Sequence, residues 1–237
     1  MHSGRTFSLL ATLLTLAPTG AMARADSPAA SLVVVELFTS QGCSSCPPAN
    51  ANLAAIAERP DVLALSFGVT YWDYIGWKDT FAKPEFTNRQ YAYEQKLHRA
   101  TAYTPQMVVN GAMDLIGNSA EELDRFIGAA RNETATAGPQ ITLNGDTVTI
   151  SPGSAPADAA DVLLVRYDPN VVQVPVARGE NTGRTLPHKH VVHELTRLGA
   201  WTGAAVRFDL PAATDGLKTA ILVQSAFTGP ILAAASD

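Results

Sequence analysis

The chain has 237 residues, a formal net charge of −5 and a hydrophobic share of 46%. A chain of this length and apolar content can fill one large core or two small ones, so disulfides are not needed merely to hold a tiny fold together. An acidic balance without basic clusters excludes nucleic acid and anionic membranes as expected partners.

The N-terminus has the organisation of a secretion signal, which we predict over residues 1–25. A short positive region precedes an apolar run from Phe7 to Ala17, and Ala21-Met22-Ala23 resembles a cleavage site. The apolar run is shorter than the roughly 20 residues that a bilayer requires. A retained N-terminal anchor is the alternative. We expect no membrane-spanning segment after signal removal and a periplasmic or secreted location, where disulfides persist.

The only two cysteines of the chain lie where a predicted strand passes into a predicted helix. The strand is the apolar, β-branched run that begins at Val33. Cys43-Ser44-Ser45-Cys46 follows it, and the helix then runs from Pro47 to about Glu58, since proline is tolerated in a first helical turn. A second buried strand, Val62 to Phe67, completes a right-handed βαβ unit with parallel strands.

Further elements follow in a helix, strand, strand, helix order. An aromatic segment, Tyr71 to Trp77, precedes a helix that we predict to open at Thr87. Thr104-Pro105 ends that pattern. The Asn110-Gly111 turn then joins two short strands, and Ser119 opens a last helix that ends near Arg131.

Beyond a linker from Ala135 to Pro139, the pattern changes to six to eight short strands. This pattern predicts a smaller all-β, sandwich-like module over residues 138–237, after an α/β domain over residues 31–133. The expected strands are Gln140–Leu143, Thr147–Ile150, Val162–Tyr167, Val171–Val176, Lys189–Leu195, Ala204–Asp209, Thr219–Ser225 and Ile231–Ala234.

The cysteine pair at a strand-to-helix junction, together with Thr-Pro before the third strand, resembles the thioredoxin superfamily. More narrowly, LFTSQGCSSCPPA, YWDYIGWKD, YTPQMVVNG and RGENTGR are similar to a family of secreted bacterial proteins known as domain of unknown function 1223. The resemblance implies a thioredoxin-like domain with β-α-β-α-β-β-α order and a mixed central sheet. It also implies a cis Pro105 beside the cysteines and a backbone at Thr104 that binds an extended substrate. The chain departs from the family pattern at Gly68, Thr70 and Asn50, where histidine, aspartate and aspartate are usual.

Thiol–disulfide exchange needs a reactive thiolate and a resolving thiol. Cys43, just before the helix, is the expected nucleophile because the helix N-terminus favours a negative sulfur. Cys46, more buried, is the expected resolving thiol. Glu36 is either a proton relay or a solvated or salt-bridged carboxylate. Trp72 either binds substrate or packs in the core.

Polar residues of the second module give weaker patterns. RGENTGR, with Arg178, Glu180, Asn181 and Arg184, is expected to be a loop that docks on the first module rather than a site of direct chemistry. A second group comprises His188, His190 and His193. On a strand, the first two would share a face and the third would point away, so we predict no metal site.

Three functions remain open from the sequence. The first is an exported thiol–disulfide oxidoreductase that acts on protein or small thiol and disulfide substrates, with an exported redox partner and no cofactor. The second is a non-catalytic binding protein in which the thioredoxin fold is a scaffold and the disulfide is structural. The third is a copper-handling protein that uses both thiolates, since soft sulfur suits Cu(I).

Overall fold

The structure is a computed structural model that describes residues 1–2, 32–134 and 138–237. Apart from residues 1 and 2, the predicted signal peptide lies outside the described residues. Within them, no helix combines the length and the apolar character needed to cross a membrane.

Strands and helices alternate in the first part of the chain, and strands alone follow. The strands are β1 Val33–Thr39, β2 Val62–Gly68, β3 Gln106–Val109, β4 Met113–Leu115, β5 Ile141–Asn144, β6 Thr147–Ile150, β7 Ala160–Pro175, β8 Thr185–Trp201, β9 Val206–Asp209, β10 Lys218–Gln224 and β11 Ile231–Ser236. The helices are α1 Pro47–Ile56, the 3-10 helix Thr70–Ile75, α2 Pro84–Lys96 and α3 Ala120–Thr134.

Helix starts follow local chemistry, with one shift from the prediction. Pro47 occupies the first turn of α1, and Ser119 Oγ accepts a hydrogen bond from Glu122 N at 3.2 Å before α3, as predicted. However, α2 begins at Pro84 rather than at Thr87. The Thr87 hydroxyl instead accepts from Thr70 N at 2.9 Å, so it ties α2 to the 3-10 helix.

One large mixed sheet carries most of the fold. Its strand order is β11-β10-β7-β8-β2-β1-β3-β4, with β1 parallel to β2, and β2 parallel to β8 through Ser66 and Val191. The remaining pairs in this sheet are antiparallel. Strands β5, β6 and β9 form a second, antiparallel sheet. The structure therefore confirms a mixed α/β architecture.

The prediction of a separate, sandwich-like C-terminal module is wrong about the sheet to which its strands belong. Strands β7, β8, β10 and β11 extend the sheet of the first part instead of forming a separate pair of sheets. The physical reason is the free edge of β2, whose backbone N–H and C=O groups need a partner that β8 supplies. Two expected strands, Val162–Tyr167 and Val171–Val176, are also one long strand, β7.

Side-chain alternation along β1 decides which helices cover each face of the sheet. Its odd-numbered residues pack with α1 and α3, whereas Val34 and Phe38 pack with α2. Glu36 shares the α2 face because residues two apart on a strand point to the same side. Burial of Leu53 against β1 anchors α1, and thereby fixes the segment that immediately precedes this helix.

Candidate functional site

The two cysteines form a disulfide with Cα atoms 5.5 Å apart. They belong to the cysteine loop, residues 40–46, which joins β1 to α1, and Cys46 directly precedes α1. Each cysteine has 0% of its surface exposed, so the expected difference in burial between Cys43 and Cys46 is not present. Ser44 and Ser45, between them, are exposed.

The segment Thr104-Pro105 lies beside the cysteine loop, and its peptide bond is cis, as the resemblance implies. The Ser45 hydroxyl lies 3.3 Å from Cys43 Sγ and 3.5 Å from the Thr104 carbonyl oxygen. Trp72 Nε1 donates to Thr104 Oγ1 at 2.7 Å. The structure thus brings five of the expected site residues together: Cys43, Cys46, Thr104, Pro105 and Trp72.

Trp77 of the aromatic segment and Thr80, three residues later, brace the cysteine loop through Gln41, which is fully buried. Trp77 Nε1 donates to Gln41 Oε1 at 2.9 Å, and Thr80 N donates to the same oxygen at 3.2 Å. Gln41 Nε2 in turn donates to Thr80 Oγ1 at 2.8 Å. Each polar atom of the Gln41 side chain is therefore paired, which holds the loop in one position.

Asp79 is a site residue that sequence reasoning missed. Its Oδ2 accepts from Gln41 N at 2.7 Å, while Oδ1 accepts from Phe81 N and Ala82 N at 2.8 and 3.1 Å. Burial raises the pKa of Asp79, and the three backbone donors oppose that shift. Its position within YWDYIGWKD was the available sequence clue. Asp73 Oδ1 accepts from Asp79 N at 3.1 Å, so Asp73 caps the turn that leads to Asp79.

The docking of RGENTGR on the first part of the chain is confirmed. Residues 176–184, here called the docking loop, connect β7 to β8. Asn181 is fully buried and its Nδ2 donates to the carbonyl oxygens of Gln41 and Cys43 at 3.0 and 2.9 Å. Arg184 Nη1 donates to Asn181 Oδ1 at 2.7 Å.

Glu180, next to Asn181, also reaches the cysteine loop. Its Oε2 accepts from Ser44 N at 3.0 Å and from Ser44 Oγ at 2.7 Å. These two hydrogen bonds lower the pKa of Glu180, so the side chain is a carboxylate at neutral pH. The docking loop therefore places a negative charge beside the disulfide.

Glu36 takes part in a buried ion pair on the α2 face of the sheet. Arg89 donates to its two carboxylate oxygens at 2.7 and 3.0 Å, and the Tyr93 hydroxyl donates to one of them. Arg89 also donates to Gln224 Oε1 at 3.0 Å, which links α2 to β10. Of the two alternatives for Glu36, the structure shows the salt-bridged carboxylate. A role of Glu36 as a proton relay stays a prediction.

The three departures from the family pattern have different surroundings. A Cβ atom at Gly68 would lie 2.8 Å from Ala82 N, so this glycine allows the segment after Asp79 to pack against β2. Thr70 is engaged by α2 through Thr87. Asn50 is buried one turn after Cys46, and neither polar atom of its side chain has a hydrogen-bond partner within the described residues.

The alternation of side chains along β8 is broken at His190, which lies between His188 and His193. His190 has φ of +52°, and its ring donates through Nδ1 to the Ala64 carbonyl oxygen at 2.9 Å. His188 and His193 instead contact Phe81, so the predicted sharing of a face by His188 and His190 is wrong. Burial lowers the pKa of His188 to about 4. The described part of the chain contains no group of three or more side chains arranged to hold a metal.

One comparison with known proteins identifies a family, and a second finds similar structures. The family described as protein of unknown function (DUF1223) matches residues 34–224. A crystal structure of a protein from Agrobacterium tumefaciens is similar, with 32% identity and a TM-score of 0.72 over 87% of this chain and 94% of that one. HBP35 of Porphyromonas gingivalis shares the fold, with 16% identity and a TM-score of 0.61 over 87% and 74% of the respective chains. No curated protein matches the chain significantly. The chain therefore belongs to the DUF1223 family.

Proposed function

We propose that this protein is an exported thiol–disulfide exchange protein in which residues 31–133 form a thioredoxin-like domain. The observation that carries the proposal is the Cys43–Cys46 disulfide at the start of α1, beside the Thr104-Pro105 segment. Export rests on the predicted secretion signal, and it would place the pair where disulfides persist.

The reaction follows from the position of each sulfur. In the reduced protein, the Cys43 thiolate attacks one sulfur of a partner disulfide, and the other partner sulfur leaves as a thiolate. Cys46 then loses its proton and attacks the Cys43 sulfur of the mixed disulfide. The second partner thiolate is released and Cys43–Cys46 forms. The partner gains two electrons, and the reverse sequence oxidises a dithiol.

Neighbouring residues have positioning roles in this proposal. The N-terminus of α1 favours the Cys43 thiolate through the helix dipole, since Pro47 and Pro48 in its first turn have no backbone N–H to donate. Trp72 holds the Thr104 side chain through its indole N–H, which leaves the Thr104 backbone to orient an extended substrate. Protein or small disulfides are the expected substrates, with an exported redox partner that restores the starting state.

A structural disulfide in a binding protein is the second candidate function. The observation that favours it is the complete burial of both sulfur-bearing residues. The cysteine loop donates a hydrogen bond to Asp79 and accepts one from Asn181, and both also fix this disulfide in one place. A disulfide of this kind stabilises the fold and does not exchange.

Equilibration with glutathione buffers, followed by trapping of free thiols, separates the two functions. We expect a reversible couple with a potential between about −270 and −120 mV, the range of known exchange proteins. Cys46→Ser should accumulate a mixed disulfide with glutathione, whereas Cys43→Ser should not. A potential below about −300 mV with no mixed disulfide would establish the structural role.

A further inference from the structure

The docking loop reaches the cysteine loop from more than 130 positions away in the chain, as the sequence separations of its hydrogen bonds show. Asn181 fixes the backbone through two carbonyl oxygens, those of Gln41 and Cys43. With that anchor in place, Glu180 Oε2 is held at 3.0 Å from Ser44 N, the amide next to Cys43. The charge of Glu180 is therefore positioned by the fold.

The distance from this carboxylate to the sulfur of Cys43 is short. Ser44 N is four bonds from Cys43 Sγ, so Glu180 Oε2 lies within about 8 Å of the sulfur. At that separation, even with the dielectric constant of water, a negative charge raises the pH midpoint of thiolate formation by about 0.4 unit. Glu180 also occupies the Ser44 amide, a donor that would otherwise be available to an anion in this loop.

We propose that Glu180 is a positioning residue that favours the Cys43–Cys46 disulfide over the dithiol by opposing the Cys43 thiolate. The docking loop then shifts the redox couple towards the disulfide. This inference rests on the proposed function, because it assigns the control of the same redox couple. Among the described residues, the other charged groups joined to this assembly are Asp79, through Gln41 N, Asp73, through Asp79 N, and Arg184, through Asn181.

The reduction used as a test has a defined balance. Two glutathione thiols supply two electrons and two protons. The Cys43–Cys46 bond breaks and the bond of glutathione disulfide forms. One proton passes to Cys46, and the other passes to Cys43 below the pH midpoint of thiolate formation or to solvent above it. A change that stabilises the Cys43 thiolate shifts this balance towards the reduced protein.

The test compares Glu180→Gln with Asp215→Asn in the full chain. Glutamine keeps an oxygen that accepts from Ser44 and removes only the charge, while Asp215 is exposed in the turn between β9 and β10 and provides the same change in net charge. At a pH above the alkylation midpoint of Cys43, we expect Glu180→Gln to raise the equilibrium constant for reduction by about 2.5-fold. For the chemically reduced protein, the pH midpoint of Cys43 alkylation should fall by about 0.4 unit.

Both measurements should leave Asp215→Asn at the wild-type value. The inference is overturned if Glu180→Gln and Asp215→Asn give the same alkylation midpoint, whatever their thermal stabilities. Alkylation uses protein reduced in advance, so this result stands even if no variant equilibrates with glutathione. Failure to equilibrate would instead reject the proposed exchange function.

Discussion

Replacement of Asn181 by alanine removes the central anchor of the docking loop. The carbonyl oxygens of Gln41 and Cys43, both in residues without exposed surface, would lose a donor. The Cys43 carbonyl oxygen would keep the hydrogen bond from Cys46 N at 3.3 Å, so it loses one hydrogen bond worth about 0.5–1.5 kcal/mol. The Gln41 carbonyl oxygen would be left unsatisfied at a cost of about 1–3 kcal/mol, which gives about 1.5–4.5 kcal/mol for both. Because water can enter the vacated space and restore part of the hydrogen bonding, we expect a loss of about 2–3 kcal/mol.

Urea unfolding of the oxidised protein measures this loss. The midpoint should fall while the slope m stays the same, since the unfolded chains expose similar surface. Asn170→Ala is the matched control, because Asn170 is an exposed asparagine of β7, in the same hairpin, and its side chain bonds only locally to Asp168. We expect the control to change stability by less than about 0.5 kcal/mol. An equally small effect of Asn181→Ala would refute the conclusion that this side chain anchors the docking loop.

Three further substitutions test the surroundings of the site by urea unfolding. Arg89→Met leaves the carboxylate of Glu36 buried without its partner and should cost about 3–5 kcal/mol; a loss under 1 kcal/mol would contradict the buried pair. Gly68→Ala should cost about 1–3 kcal/mol because its Cβ meets backbone, whereas Gly128→Ala, in open space, should not destabilise; equal effects would contradict the close approach. Burial lowers the pKa of His188 to about 4, so the stability that depends on its neutral ring is complete above pH 6.5 and is lost as the pH falls towards 4. His188→Phe should reduce the slope of the unfolding free energy against pH in this range by up to about 1.4 kcal/mol per pH unit. An unchanged slope would contradict the lowered pKa.

The first part of the fold was predictable because its signals are local. An apolar β-branched run, a cysteine pair and two prolines fall within 16 consecutive residues, and each constrains its own neighbours. Ser119 likewise caps α3 through a residue only three positions away. The sequence therefore predicted where the disulfide lies and which elements flank it.

The contacts that complete the site were not predictable in the same way. Asn181 bonds to Gln41 across 140 positions, and an asparagine in a Gly-rich loop is equally suited to an exposed turn. The sequence marked Glu36 as a polar residue in an apolar strand, but its partner Arg89 lies 53 positions away. The sequence pattern of α2 does not indicate which residue Arg89 contacts. The sequence also did not predict the positive φ of His190, because an argument from side-chain alternation assumes a regular strand.

Residues from both halves of the chain hold the cysteine loop in place, so the chemistry of Cys43 depends on both. Asp79 fixes the loop from the first half, while Asn181 and Glu180 fix it from the β7–β8 hairpin. A chain that ended at residue 133 would lack the docking loop and would leave the edge of β2 without its β8 partner. Both halves of the chain therefore contribute to the environment of Cys43. The family match over residues 34–224 also spans both halves.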